Sequence, residues 1–334
     1  MSHMDYSLVV CAYNPDERLL KRCLAAIQRL DKSGMSTEVI LVDNNSEVPL
    51  KSRPYIQEYM EQITGMQLLM VAEQGVSYAR IAAIEAAKGK YIVYFDHDNE
   101  PEGDYLQELR TLHEQHPEVA AWGPGKVTVD FIDGIRNDIR QFASGAFQQR
   151  NDQEIAFAST PDWQSCYPFG TGLCTEAFLL KKYVQLAQKG HLSLPGRKGN
   201  KLSSGEDTQM VLLCIREGYA AGVSPSLRLT HIIPGSRANV SYLKRLIYGT
   251  FLCYGASWLQ VFPERKTYLQ HTIMPRLEFS GRSLKKLVKA KWSRDPHKLF
   301  NLVEFIATNA GTYAALNKPV PVLIKGIIKY LKVV

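Results

Sequence analysis

The chain has 334 residues, 45% of them hydrophobic and 22% charged, a balance that excludes disordered, collagenous and coiled-coil classes. It is long enough to bury a large core without disulfides or metals. Its six cysteines (Cys11, Cys23, Cys166, Cys174, Cys214 and Cys253) form no CxxC pair, which fits free thiols in a reducing compartment. The net charge of +7 is unevenly spread: residues 260–334 carry 14 Lys+Arg against 4 Asp+Glu, leaving the first 259 at −3. A near-neutral body with a basic tail points to an anionic surface, lipid or nucleic acid, as the tail's partner. Met1-Ser2-His3 reads as an added leader, and no signal peptide is recognised. The longest uncharged run near the tail, Leu246 to Pro263, contains Gly249, Thr250, Gly255, Ser257 and Gln260 and makes a weak transmembrane span. The expectation is a cytoplasmic protein, soluble or peripheral on the inner face of the membrane.

In chain order, Tyr6 to Tyr13 is a short apolar run with β-branched residues and predicts a buried first strand. Asn14-Pro15-Asp16 ends it. From Arg18 to Leu30, the residues Leu19, Leu20, Cys23, Leu24, Ile27 and Leu30 recur at helical spacing. Glu38–Asp43 predicts a second strand, Gln67–Val71 a third, Ser77–Ala87 an Ala-rich helix and Tyr91–Phe95 a fourth strand. This alternation predicts an α/β fold with a mostly parallel central sheet flanked by helices. Ligands bind such sheets beyond the carboxyl ends of the strands. Those ends carry Tyr13-Asn14, Asp43, Glu73-Gln74-Gly75 and Asp96-His97-Asp98. From about Ser236 the strand signals stop, and helices are predicted over 240–261, 282–292, 298–316 and 321–333. The expected domains are therefore residues 4–235 and a basic helical extension, 236–334.

Asp96-His97-Asp98 closes an apolar strand. Two carboxylates at a strand end are hard oxygen ligands suited to Mg²⁺ or Mn²⁺ together with substrate phosphates; the same tripeptide also occurs as a solvated turn. Gly205-Glu206-Asp207 precedes a helical pattern. Its carboxylates can cap that helix, or one can serve as general base for a hydroxyl nucleophile. His231 follows a strand pattern and is either a structural histidine or a further metal ligand beside Asp98. Asp43 can accept a hydrogen bond from a ribose or base, or stabilise its own turn with Asn44 and Asn45. Cys174 and Cys214 read as core thiols. GxGxxG after the first strand, GxxxxGK[ST], GxSxG and HExxH are all absent, which argues against dinucleotide-binding, P-loop, α/β-hydrolase and zincin chemistry.

These pieces resemble glycosyltransferase family 2, the inverting nucleotide-sugar transferases of the GT-A fold, over about residues 5–235. Val9-Val-Cys-Ala-Tyr-Asn-Pro15 is similar to the family's opening strand and turn, and Val42-Asp-Asn-Asn-Ser46 to its VDDGS element. Gly75-Val-Ser-Tyr-Ala-Arg80 with Ala87-Lys-Gly-Lys-Tyr-Ile-Val-Tyr-Phe-Asp-His-Asp98 resembles its central block. Gly205-Glu-Asp207 and Arg216-Glu-Gly-Tyr219 resemble its "E-D … R-x-G-y" block. Ile81 and Asn45 depart from the usual Asn and Gly, and Thr171-Gly172 matches the acceptor segment only loosely.

The resemblance implies roles for particular residues. Tyr13 would pack on the nucleobase, Asp43 hydrogen-bond it, and Arg80 lie near the nucleotide. Asp96 would contact ribose or sugar, Asp98 ligate Mn²⁺ or Mg²⁺ with His231 completing the site, and Asp207 deprotonate the acceptor. The implied partners are a nucleotide-sugar donor, UDP-sugar foremost, and a glycan or lipid-linked acceptor, in bacterial surface polysaccharide synthesis and without nucleic acid. Two rival readings are a nucleotidyltransferase, opposed by Ala12-Tyr13-Asn14-Pro15 where that class carries a Gly-rich loop, and a non-catalytic nucleotide-sugar-binding protein. In the tail, Lys325, Lys329 and Lys332 lie largely opposite Leu323, Ile324, Ile327, Ile328 and Leu331. Together with the lysine-rich 283–292 this predicts attachment to an anionic membrane surface, unless both helices pack on the protein.

Overall fold

The computed structural model describes residues 4–192 and 202–334; Met1-Ser2-His3 lies outside them. In chain order the elements begin with β1 (Tyr6–Ala12), α1 (Glu17–Arg29), β2 (Thr37–Asp43), α2 (Pro54–Gln62), β3 (Met66–Met70), α3 (Val76–Ala86), β4 (Tyr91–Asp96) and β5 (Asn99–Pro101). They continue with α4 (Tyr105–Gln115), β6 (Val119–Phe131), α5 (Asn137–Ala146), β7 (Arg150–Asn151), β8 (Ala156–Ala158), β9 (Cys174–Glu176), α6 (Ala177–Gln188), α7 (Glu206–Arg216) and β10 (Ala220–Ile233). The remainder is helical: α8 (Val240–Val261), α9 (Lys266–Thr272), α10 (Arg276–Ser293), α11 (Pro296–Ala315) and α12 (Val322–Leu331).

The chain divides into two compact units. One comprises Met1–Asp130, Gln148–His191 and Met210–Ile232; the other comprises Phe131–Phe147, Leu192–Gln209 and Ile233–Val334. A break thus falls between Ile232 and Ile233. Residues 131–147 and the described part of 192–209 (192 and 202–209) group with the later segment.

The first unit is organised by its sheet, in the order β3-β2-β1-β4-β9-β6-β10-β5. The first four strands are parallel, with Val10 opposite Leu41 on one side and Phe95 on the other. β1 lies inside this set, so Leu8, Val9 and Val10 are fully buried. That accounts for its continuous apolar run, since a strand covered on both faces has no polar alternation. Asp16 caps α1 by accepting from the Arg18 amide at 3.0 Å, and Leu19, Leu20, Cys23, Leu24 and Ile27 form the buried stripe of that helix. Beyond β4 the sheet turns antiparallel through β9 and β6, and β5 pairs antiparallel with β10. β6 runs through Gly123-Pro124-Gly125. A Cβ on Gly125 would lie 2.7 Å from the Ser224 carbonyl carbon, so glycine lets the neighbouring β10 backbone approach. On one flank the His113 ring stacks on Tyr91 at 3.7 Å and its Nδ1 lies 3.2 Å from the Tyr6 hydroxyl. Burial there pushes the His113 pKa down to about 3.

The second unit is built around α8 and α11. Gly311 of α11 meets the Leu252 carbonyl of α8, and a Cβ on Gly255 would sit 3.5 Å from the Gly311 carbonyl oxygen. Small residues at these points let the two backbones approach closely. α10 docks on α11 through Phe279, which stacks on Tyr313 and meets Phe305 edge-on. α12 turns Ile324, Ile327 and Leu331 inward, and Lys244 of α8 donates to the Leu331 carbonyl at 2.9 Å. Among the described residues no helix is long and apolar enough to cross a membrane.

Candidate active site

The carboxyl ends of β1, β2 and β4 and the loop after β3 gather in the first unit, as the strand-end rule anticipates. Asn44, just past β2, links three of them. Its amide nitrogen donates to the Ala12 carbonyl at 2.8 Å, its side-chain nitrogen to the Glu73 carbonyl at 2.7 Å, and its side-chain oxygen accepts from the Gly75 amide at 2.7 Å. Gly75, at φ 144°, then opens α3. Asn14 and Asn45 both take the left-handed region, at φ 43° and 63°, which asparagine tolerates better than most side chains. That accounts for an Asn at position 45.

Asp43 is fully buried. Its two carboxylate oxygens accept from the Ser46 amide at 2.9 Å and the Leu50 amide at 2.8 Å. Asp43 therefore folds the loop after β2, in keeping with the turn alternative for this residue. Tyr13, directly after β1, is 39% exposed at the same strand ends.

Arg80 projects from α3 and is buried, with its guanidinium 5.1 Å from the Tyr94 ring centre and 3.8 Å from Asp96 Oδ1. Asp96 keeps about a third of its side chain exposed. Asp98 and His231 are both buried, and His231 Nε2 lies 3.5 Å from Asp98 Oδ2. The pairing follows from strand register. β5 places Asn99 opposite His231 of β10, and the Ile232 amide donates to the Asp98 carbonyl at 2.8 Å.

Sequence reading overlooked Asn99. It is fully buried; its side-chain oxygen accepts from the Asp96 amide at 3.0 Å and its nitrogen donates to Asp98 Oδ1 at 3.0 Å. The available signal was a third polar residue directly behind the Asp-x-Asp strand end. Cys23 of α1 also backs this turn, its thiol 3.5 Å from the Asp96 carbonyl. Burial, with the nearby Asp98 and Asp96 charges, pushes that thiol well up and keeps it neutral.

The structure thus brings together Asp98 with His231 and Arg80 with Asp96, while Asp43 and Asn44 fix the adjoining loops. Asp207 lies in the second unit, in the first turn of α7, where its Oδ1 accepts from the Thr208 amide at 2.8 Å.

Among the described residues no group of three or more His, Cys, Asp or Glu side chains gathers around a metal position. A carboxylate and an imidazole 3.5 Å apart are nevertheless suitable donors for a divalent cation whose remaining ligands come from phosphate and water. Mg²⁺ in particular is held through one or two carboxylates plus substrate phosphates rather than by an all-protein cage.

A model of glycosyl transferase family 2 matches residues 7–178. Among curated proteins, EpsH of Bacillus subtilis (strain 168), named as a glycosyltransferase, is 29% identical over 110 residues, covering 33% of this chain and 30% of that protein. Protein y4gI of Sinorhizobium fredii (strain NBRC 101917 / NGR234) is 31% identical over 113 residues, covering 34% of this chain and 12% of the relative. The chain thus spans less than a third of either relative. Among solved structures, S. aureus TarS 1–349 is similar at 14% identity and a TM-score of 0.48, over 94% of this chain and 83% of that one. With the family model matching more than half of its residues, the chain belongs to glycosyl transferase family 2.

Proposed function

We propose that this protein transfers a sugar, with inversion, from a nucleoside diphosphate donor, UDP-sugar foremost, to a hydroxyl of a glycan or lipid-linked acceptor, within bacterial surface polysaccharide synthesis at the inner face of the membrane. The observation that carries the reading is the buried Asp98–His231 pair, 3.5 Å apart, at the strand ends of a family 2 chain.

Asp98 and His231 are the residues that would hold Mn²⁺ or Mg²⁺. Bound there, the cation would offset the charge that develops on the departing diphosphate. Asn99 holds Asp98 through Oδ1, which keeps Oδ2 turned toward His231. Tyr13 supplies an aromatic face for the base, and Asp43 serves base recognition through the loop it shapes. Arg80 stands against Asp96, so its charge holds a carboxylate suited to ribose or sugar hydroxyls.

Asp207 is the base of this scheme. It takes the acceptor hydroxyl proton as the acceptor oxygen bonds to the anomeric carbon and the bond from that carbon to the diphosphate oxygen breaks. The transition state is oxocarbenium-like, and one displacement inverts the centre without a covalent enzyme intermediate.

A thermal-shift screen of nucleoside diphosphates and nucleotide sugars, with and without Mn²⁺, tests this reading. A ligand that binds only the folded state raises the melting temperature by mass action. A rise with a nucleoside diphosphate that requires Mn²⁺ supports it. No rise with any nucleotide in either condition would count against it.

A further inference from the structure

The helix α12 stripe named from sequence as the membrane face is mostly packed away, since Ile324, Ile327 and Leu331 are buried. α10 shows the opposite arrangement. Its inner side is fixed by Phe279, Ser283 and Ala290, all buried. Its outer side carries Leu277, Leu284, Val288 and Trp292, which are 90%, 46%, 57% and 91% exposed. These four recur at i, i+7, i+11 and i+15, which places them within an arc of about 80° at 3.6 residues per turn. A helix normally turns its apolar stripe inward and its charges outward; here a second apolar stripe faces solvent.

Cations flank that stripe. Lys285 and Lys289 border one side and Lys291 the other, and Glu278 is the one acidic residue of α10 against six Lys and Arg. The surface continues onto α12. Lys291 Nζ lies 4.6 Å from the centre of the Tyr330 ring, which is itself 56% exposed; Lys325 and Lys329 are exposed on the same short helix and Lys332 just past its end.

We infer that the outer face of α10, extended by Tyr330 of α12, is an interfacial docking surface for an anionic lipid bilayer. An apolar row ending in Trp and bordered by lysines matches the two chemistries of a leaflet boundary, acyl chains and anionic headgroups. The basic charge selects an anionic leaflet over a zwitterionic one, and the fully presented leucine and tryptophan side chains suit a bilayer better than a polyanion in water. The inference concerns binding alone: it deepens the membrane location in the proposed function and stands independently of the sugar-transfer chemistry.

The test is sedimentation of the full chain with phosphatidylglycerol-containing and pure phosphatidylcholine vesicles, with the tryptophan emission recorded. Binding to the anionic vesicles is expected, with a blue shift of the emission that Trp292→Phe removes. Leu284→Glu/Val288→Glu should abolish binding. Lys285→Gln/Lys289→Gln should weaken it by roughly thirtyfold, from two lysines each worth about a fivefold factor. All five positions are exposed, so melting temperatures should hold. Failure of the wild type to bind anionic vesicles, equal binding by the wild type and the Glu variants, or preference for a single-stranded nucleic acid over the vesicles would overturn the assignment.

Discussion

Asn99 donates its side-chain amide to Asp98 Oδ1 at 3.0 Å while its carbonyl oxygen takes the Asp96 amide at the same distance. One buried residue therefore sets the turn that carries both carboxylates of the Asp-x-Asp strand end. Asn99→Ala should destabilise the protein by about 1–3 kcal/mol, the usual cost of stranding a buried polar partner. It should also raise the Mn²⁺ concentration needed for nucleotide binding. Urea titration and metal-dependent binding check the two effects. A variant with lower stability and unchanged metal dependence would reduce Asn99 to a structural brace.

Asp207→Asn keeps the side-chain shape and the acceptor oxygen that meets the Thr208 amide, but removes the basicity. Transfer should fall by roughly 10²–10⁴-fold, the ordinary worth of a general base, with donor binding retained. Steady-state transfer together with a donor binding curve separates the two effects. Transfer near the wild-type rate would leave Asp207 as a helix-start residue only.

His113 gives an acid-sensitivity of calculable sign. Burial against Tyr91 and Tyr6 holds its folded-state pKa at about 3, well below the ordinary value of 6.5. Above pH 6.5 the ring is neutral folded or unfolded and contributes no slope. As pH falls from 6.5 toward 3, only the unfolded chain takes up the proton, so stability drops by up to about 1.4 kcal/mol per pH unit from this group. His113→Gln should lower stability at neutral pH yet flatten its fall between pH 6.5 and 4.5. Denaturant midpoints across that range measure it, and an unchanged slope would exclude His113 as a source.

Gly311 meets the Leu252 carbonyl of the facing helix. Gly311→Ala must push α8 and α11 apart, and we expect a loss of about 1–3 kcal/mol as overpacking, outweighing the gain in helix propensity of up to about 1 kcal/mol. Gly326→Ala is the control, because a Cβ there meets nothing within 4 Å, and it should leave stability unchanged or slightly raised.

The parallel half of the sheet was legible because β1, β2 and β4 are buried on both faces and so read as unbroken apolar runs. α8, α11 and α12 were legible as helices to within two residues at either end, and α10 only from 282 onward, six residues past its Arg276 start. β5 and β6 were not. β5 is Asn99–Pro101, too short and polar to register, and β6 carries Gly123-Pro124-Gly125 in mid-strand, which reads locally as a turn. Its glycines answer to the Ser224 backbone across the sheet, a tertiary demand that local pattern does not encode. Asp43 illustrates the same limit at the site. Its residue type allowed both a ligand and a turn role, and only burial with two backbone amides displayed the turn role. The inward stripe of α12 and the outward stripe of α10 look alike in sequence, because amphipathicity alone does not say which apolar row finds a partner.

The most direct test of the account is calorimetric titration of UDP into the wild type and Asp98→Asn, with and without Mn²⁺. The account predicts binding by the wild type that depends on Mn²⁺, and loss of that dependence with much weaker binding in Asp98→Asn at an unchanged melting temperature. Equal UDP affinity in both proteins, with or without metal, would contradict it.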